Sequence, residues 1–117
     1  MSGINKVILI GHLGKDPDLR RLTDDVAVLT FPFATSEMLQ KAGKMTEVTE
    51  WHNVVFWRGL AESATKALKK GNLVNIEGKV RTRSFTDKAG IKKYITEIVA
   101  DHFTLLGRKS YLDGNSI

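Results

Sequence analysis

Three lysines, Lys15, Lys44 and Lys79, directly follow a glycine, as the lysine of a phosphate-cradling P-loop does. That loop also needs a glycine six residues before its lysine. Residues 9, 38 and 73 are Leu, Met and Leu, so no such loop forms. His12, His52 and His102 lie too far apart for a metal-ligand motif, and no His-Glu-x-x-His segment occurs. Asp24 and Asp25 fall in a polar stretch where water solvates both carboxylates. The absence of cysteine excludes a thiol nucleophile, a disulfide framework, a zinc–thiolate site and an iron–sulfur cluster. No catalytic constellation emerges, and no metal or cofactor is expected.

Strand parity points to binding. Alternate side chains of a strand face opposite ways. From Leu73 onward, Val74, Ile76, Gly78 and Val80 make an apolar face that suits a core. The opposite face carries Asn75, Glu77, Lys79, Arg81, Arg83 and Phe85. Cations at alternate positions, ending in an aromatic, suit phosphates along a track and a base stacked at its end. In the run before the chain centre, Trp51, Asn53, Val55 and Trp57 share one face, and His52, Val54 and Phe56 the other. If Val54 and Phe56 are core, both tryptophans point outward. If the tryptophans are core, the parity is reversed, and parity alone leaves both open. Arg58, directly after Trp57, and Lys6, distant from both runs in sequence, are further candidate cations whose proximity the sequence does not establish. Exposed aromatics interleaved with cations suit a single strand, whose bases are unstacked, better than a duplex, which is read in its grooves.

The elements that must position these residues follow from periodicity. Val7 to Ile10 is an apolar run closed by Gly11 and Gly14. It reads as a strand covered on both faces, bent or bulged at the glycines, with a partner subunit as the natural cover for the outer face. Val26 to Ser36 is a second strand, and Pro32 within it marks an edge or bulge. Glu37 to Glu47 reads as an exposed hairpin loop around Ala42-Gly43-Lys44, and Thr49 to Arg58 as a third strand. Leu60, Ala61, Ala64, Ala67 and Leu68 then recur at helical spacing, with Lys69 and Lys70 in the last turn and Gly71 as the stop. Strands resume from Leu73 to Phe85 and from Ile91 to Leu106, about a turn at Asp87-Lys88-Ala89-Gly90. Five strands with one short helix between the third and fourth is the layout of an all-β OB-fold barrel.

At 117 residues the chain holds one domain, here 1–107, followed by a short polar tail over 108–117. Eighteen Lys and Arg against thirteen Asp and Glu give a net charge of +5, which favours a polyanionic partner. No apolar run is long enough to span a bilayer, and the N-terminus does not read as a signal peptide. The expected location is therefore cytoplasmic, with no membrane partner.

Residues 3 to about 107 resemble the bacterial single-stranded DNA-binding protein family. The resemblance rests on Asn5-Lys6-Val7-Ile8-Leu9-Ile10-Gly11, Leu13-Gly14-Lys15-Asp16-Pro17, Ala34-Thr35-Ser36-Glu37, Thr49-Glu50-Trp51-His52, Leu60-Ala61-Glu62, Lys70-Gly71, Ile76-Glu77-Gly78 and Arg81-Thr82-Arg83. It implies sequence-independent binding, wrapping and protection of single-stranded DNA in replication, recombination and repair. By position, it puts base-stacking aromatics at Trp51, Trp57 and Phe85. Its basic contacts fall on Arg20, Lys70, Arg81 and Arg83, and also on Lys79, Arg58 and Lys44. A further stacking position carries Leu39 where many relatives have Trp. The resemblance implies a nucleoid-associated homotetramer with Val7, Ile8, Leu9, Ile10 and His52 at subunit contacts. Relatives usually continue into a flexible tail with an acidic tip that recruits replication and repair proteins, and the present sequence ends at Ile117 without one. Two rival expectations are an RNA-binding OB module and a dimeric docking protein of the same fold.

Overall fold

The structure is a computed structural model and describes residues 2–108. Its elements are β1 (Val7–Leu13), β2 (Asp18–Arg21), β3 (Ala27–Lys41), β4 (Lys44–Trp57), α1 (Arg58–Ala67), β5 (Leu73–Thr86) and β6 (Lys92–Gly107). The sheet runs β1-β5-β6-β4-β3-β2, and β1 also pairs with β3. That extra pairing joins β1, β5, β6, β4 and β3 into a closed five-stranded barrel, with β2 added along β3.

The helix sits between the fourth and fifth strands, not between the third and fourth. The difference is β2, whose four residues Asp-Leu-Arg-Arg are all exposed. Such a strand carries no hydrophobic alternation to betray it. It exists because β3 offers a free edge, with Asp18 opposite Thr30 and Arg21 opposite Ala27. The helix also starts earlier than its apolar period, at Arg58, and ends at Ala67. Lys69 and Lys70 therefore lie in the loop after it, where Gly71 takes a positive φ of 86°.

Residues 37 to 47 do not form a loop. β3 and β4 stay paired out to Lys41 opposite Lys44, and only Ala42 and Gly43 turn the chain. Both have positive φ, 50° and 79°, the geometry of a two-residue hairpin turn that follows the strand twist. Pro32 lies within β3, at the point where the strand's second edge passes from β2 (last pair at Thr30) to β1 (first pair at Phe33). No ladder amide is missed there, and its carbonyl accepts the Gly14 N–H at 2.8 Å.

Alternation inside the barrel is clean along β3 and the first half of β5. Ala27, Leu29, Phe31 and Phe33 of β3, Val54 and Phe56 of β4, and Val74 and Ile76 of β5 are buried. Ala61, Ala64 and Leu68 join them from the helix side, the small alanines allowing close approach. Phe56 meets Phe31 and Phe103 at 5.7 and 5.5 Å between ring centroids. The core face of β5 ends at Gly78. Val80, expected on it, is 41% exposed because β5 and β6 continue past the barrel as a two-stranded arm.

Gly11 and Gly78 mark the closure. A Cβ on Gly11 would come 2.1 Å from the Ala34 carbonyl oxygen, and one on Gly78 would come 2.2 Å from that of Val99. Beside Gly78 the ladder also shifts register, because β6 carries an extra residue there.

Candidate nucleic-acid interface

The parity question resolves on β4. Val54 and Phe56 are fully buried, while Trp51 and Trp57 are 62% and 42% exposed. The two indoles lie six residues apart on one face, about 20 Å at ~3.3 Å per residue. Val55 between them is buried despite its outward parity, and it lines the floor of a groove of about 460 Å³ with Thr30, Pro32 and Asn53.

Register assembles the rest of this face. Arg20 on β2 pairs with Val28 on β3, which pairs with Trp57 on β4. Val55 pairs with Val99 on β6, and Val99 with Lys79 on β5. Arg81, Arg83 and Phe85 continue along β5 opposite Glu97, Ile95 and Lys93. Phe85 is 43% exposed. One curved outer surface thus holds Arg20, Trp57, Trp51, Lys79, Arg81, Arg83 and Phe85, and the groove runs between Arg20 and Arg83.

Trp51 has a seat. A Cβ on Gly14 would fall 2.6 Å from its Cζ3 and 3.4 Å from Pro32 Cγ. The indole therefore lies directly against the Gly14 backbone beside Pro32, and most of the ring remains open to solvent. Only glycine allows that approach.

Several cations are already engaged. Arg83 donates from Nε to Glu97 Oε1 at 2.9 Å and from Nη2 to Oε2 at 3.3 Å. This hydrogen-bonded carboxylate, 11% exposed, holds the guanidinium above its ordinary pKa. Arg20 Nε pairs with Asp18 Oδ2 at 2.9 Å. The Lys70 backbone N–H donates to Asp16 Oδ1 at 2.8 Å, which brings the Lys70 loop to the Lys15–Asp16 end of the groove. Arg20 and Arg83, at the two sides of the groove, are thus each paired with a carboxylate.

Other expected residues lie apart. Lys44 is at the tip of the β3–β4 hairpin, away from the groove. Arg58 opens α1 with a positive φ of 57°, next to Trp57 in the chain. His52 is on the inner face of β4, half-buried, hydrogen-bonded through Nε2 to Thr35 Oγ1 at 2.8 Å. In β1, Val7 and Leu9 pack on the core, whereas Ile8 and Ile10 are 60% and 57% exposed. Leu39 shares the parity of Phe33 and so lies on the face opposite Trp51.

Sequence reasoning missed Lys15, Glu97 and the Gly14 seat. In sequence, Lys15 is a lysine without a P-loop and one member of the Leu13–Pro17 motif, with no contact assigned to it. Glu97 follows a threonine in a strand of mixed polarity, with nothing local to tie it to Arg83.

The model of the Single-strand binding protein family matches residues 4–106. The chain belongs to that family. Among curated relatives, "Single-stranded DNA-binding protein 1" of Xylella fastidiosa is 44% identical over all of this chain and 86% of its own. "Single-stranded DNA-binding protein 1" of Chlorobaculum tepidum is 47% identical over 97% of this chain and 72% of its own. "Single-stranded DNA-binding protein" of Neisseria meningitidis is 43% identical over 97% of this chain and 66% of its own. The family is one of DNA-binding proteins and not of enzymes.

Proposed function

We propose that the chain binds single-stranded DNA without regard to sequence, wrapping it across the outer face of the barrel. The observation that carries this reading is the register of Trp57, Trp51 and Phe85 with Arg20, Lys79, Arg81 and Arg83 on one surface. Bases stack on the three rings, and phosphates follow the cations between them. Every base has a π-face, so stacking at about 1–3 kcal/mol per base is tolerant of sequence. Lys70 and Arg58 extend the cationic border, and Lys44 reaches DNA from the hairpin tip. Occupied strand is kept from re-pairing during replication, recombination and repair, and no cofactor takes part.

The functional unit is a homotetramer in the cytoplasm, associated with the nucleoid through its DNA. Support comes from Ile8 and Ile10, two large apolar side chains side by side on β1 with more than half their surface open. A second copy covering them removes about 25 cal/mol per Å² of apolar area from water. His52 contributes at a subunit contact. Residues 1–107 form the binding domain, and residues 109–117 of the expected tail lie outside the described residues.

Tryptophan fluorescence tests the reading. Oligo-dT should quench emission strongly, duplex should not, and oligo-U separates DNA from RNA preference. Trp57→Ala should weaken oligo-dT binding by about 1–3 kcal/mol and leave the fold intact, because that ring lies outside the core. Unchanged emission with all three ligands overturns the stacking mechanism. A dimer by mass in solution would favour the docking-protein alternative.

A further inference from the structure

The β5–β6 arm has a second face. Its front carries Arg81, Arg83 and Phe85, whereas the alternate residues Thr82, Ser84 and Thr86 face the other way with Lys92, Tyr94 and Thr96 of β6. Tyr94, opposite Ser84, is 67% exposed. Lys92 Nζ lies 5.6 Å from the centre of its ring. Thr82 and Thr96 are hydrogen-bonded to each other at 3.1 Å, and no carboxylate lies among these reverse-face residues. A large aromatic with a cation beside it, on a surface free of acids, repeats the chemistry of the front.

Charge favours the same ligand. Residues 79 to 97 hold six cations (Lys79, Arg81, Arg83, Lys88, Lys92, Lys93) and two carboxylates (Asp87, Glu97). The arm therefore carries most of the chain's net charge of +5. Both carboxylates are committed to cations on the arm: Glu97 holds Arg83, and Asp87 Oδ2 lies 3.2 Å from Lys93 Nζ. The turn joining the two strands at the tip of the arm is firmly built, since Asp87 Oδ1 accepts the N–H groups of both Ala89 and Ile91 at 2.9 Å. Lys88 adds a further cation at that tip.

We propose that the reverse face of the arm is a second single-stranded DNA contact, with Tyr94 as a base platform and Lys92 as its phosphate partner. A DNA strand long enough to round the turn at Asp87–Gly90 then grips the arm from both sides. The inference rests on the front-face reading above, and the test separates the two.

Oligo-thymidylates of increasing length, each carrying 5-iodo-2′-deoxyuridine at one end, are bound to the whole chain, irradiated and mapped by mass spectrometry. Tryptophan quenching in the same samples reports front-face occupancy. Short oligomers should quench tryptophan without crosslinking to Tyr94, and longer ones should crosslink to it. Tyr94→Ala should weaken long-oligomer binding about 5- to 150-fold, as expected for one stacked base, and leave short-oligomer binding unchanged. Tyr94→Phe should restore it. Normal quenching with no Tyr94 crosslink at any length overturns the second contact and leaves the front face standing. Equal loss for short and long oligomers in Tyr94→Ala, or a changed oligomer mass, also overturns it, by assigning Tyr94 to the fold or to a contact between copies. Absence of quenching at every length removes the front-face reading and this inference with it.

Discussion

Gly14→Ala should separate stability from DNA binding. The new Cβ would sit 2.6 Å from Trp51 Cζ3 and 2.9 Å from Cη2, where ordinary contact is 3.4–4 Å. The indole must move by about 1 Å. It can do so cheaply, because the atoms in conflict are the far edge of an exposed side chain and not backbone. Holding the ring off its rotamer costs about 0.5–1.5 kcal/mol. Replacing glycine restricts the unfolded chain and returns about 0.4–1 kcal/mol. The two nearly cancel, so urea denaturation should find stability within about 1 kcal/mol of wild type. Binding is different, since a stacking platform works only where the strand passes. Partial loss of one stack is about 1 kcal/mol, roughly a fivefold weaker Kd for oligo-dT. Fluorescence titration in the Trp57→Phe background isolates Trp51 and should show altered emission with weaker quenching. A stable variant with wild-type emission and wild-type Kd would refute the seat. A variant destabilised by more than about 2 kcal/mol would show that the ring cannot swing aside.

Gly78→Ala should behave oppositely, because its Cβ would lie 2.2 Å from the Val99 carbonyl oxygen and 2.9 Å from Ala100 Cα. Backbone must shift, so denaturation should show a loss of about 3 kcal/mol, the upper part of the overpacking range. Glu97→Gln removes the carboxylate that holds Arg83 and that, on the proposed reading, an incoming phosphate displaces. Binding at low salt should tighten by about 0.5–1 kcal/mol and the salt slope should steepen by ~0.7 for one further phosphate, whereas weaker binding would make Glu97 a positioning residue for Arg83. The Asp87 carboxyl is held below its usual 3.8 chiefly by the Ile91 N–H, with Lys93 and the Ala89 N–H assisting. Its contribution is complete above the unfolded value and is lost as pH falls through the lower folded one. Hydrogen exchange below about pH 4 should therefore show Ala89 and Ile91 losing protection before the barrel amides of Val54 and Phe56; simultaneous loss would contradict a locally held turn.

Much of the barrel is legible in the chain because each central strand buries one face. Val74 and Ile76 alternate with the polar Asn75 and Glu77, and Val54 and Phe56 share a face between the exposed Asn53 and Trp57, and only a core imposes that. Trp51 and Trp57 were ambiguous for a physical reason. A large aromatic has the same local pattern in a core as on a stacking surface, and only the burial of Val54 and Phe56 decides. β2 left no trace because its hydrogen bonds come from the free edge of β3 and its side chains bury nothing. The β3–β4 hairpin from 37 to 47 was likewise hidden: pairing there is sustained by register and a tight turn, with most side chains in water on both faces. The Gly14 seat and the Arg83–Glu97 pair join residues that are distant in sequence, so no local pattern announces them.

The distribution of charge explains how one small chain can be both stable and adhesive. Outside residues 79–97 the chain has twelve cations and eleven carboxylates, close to neutrality. The barrel therefore folds without the self-repulsion that a concentrated positive field would impose. The cations are gathered instead on a two-stranded extension, where most side chains are exposed and, the buried Glu97 held by Arg83 apart, the apolar core does not include them. Screening by water and salt keeps their mutual repulsion small until a polyanion arrives. On the proposed reading, phosphates neutralised by these cations lose their counterions and take the place of Glu97 at Arg83, so affinity should respond to salt while barrel stability hardly does. Substitutions on the arm should accordingly move DNA affinity over a wide range at nearly constant stability, and substitutions at Gly11, Gly78 or Phe56 should do the reverse.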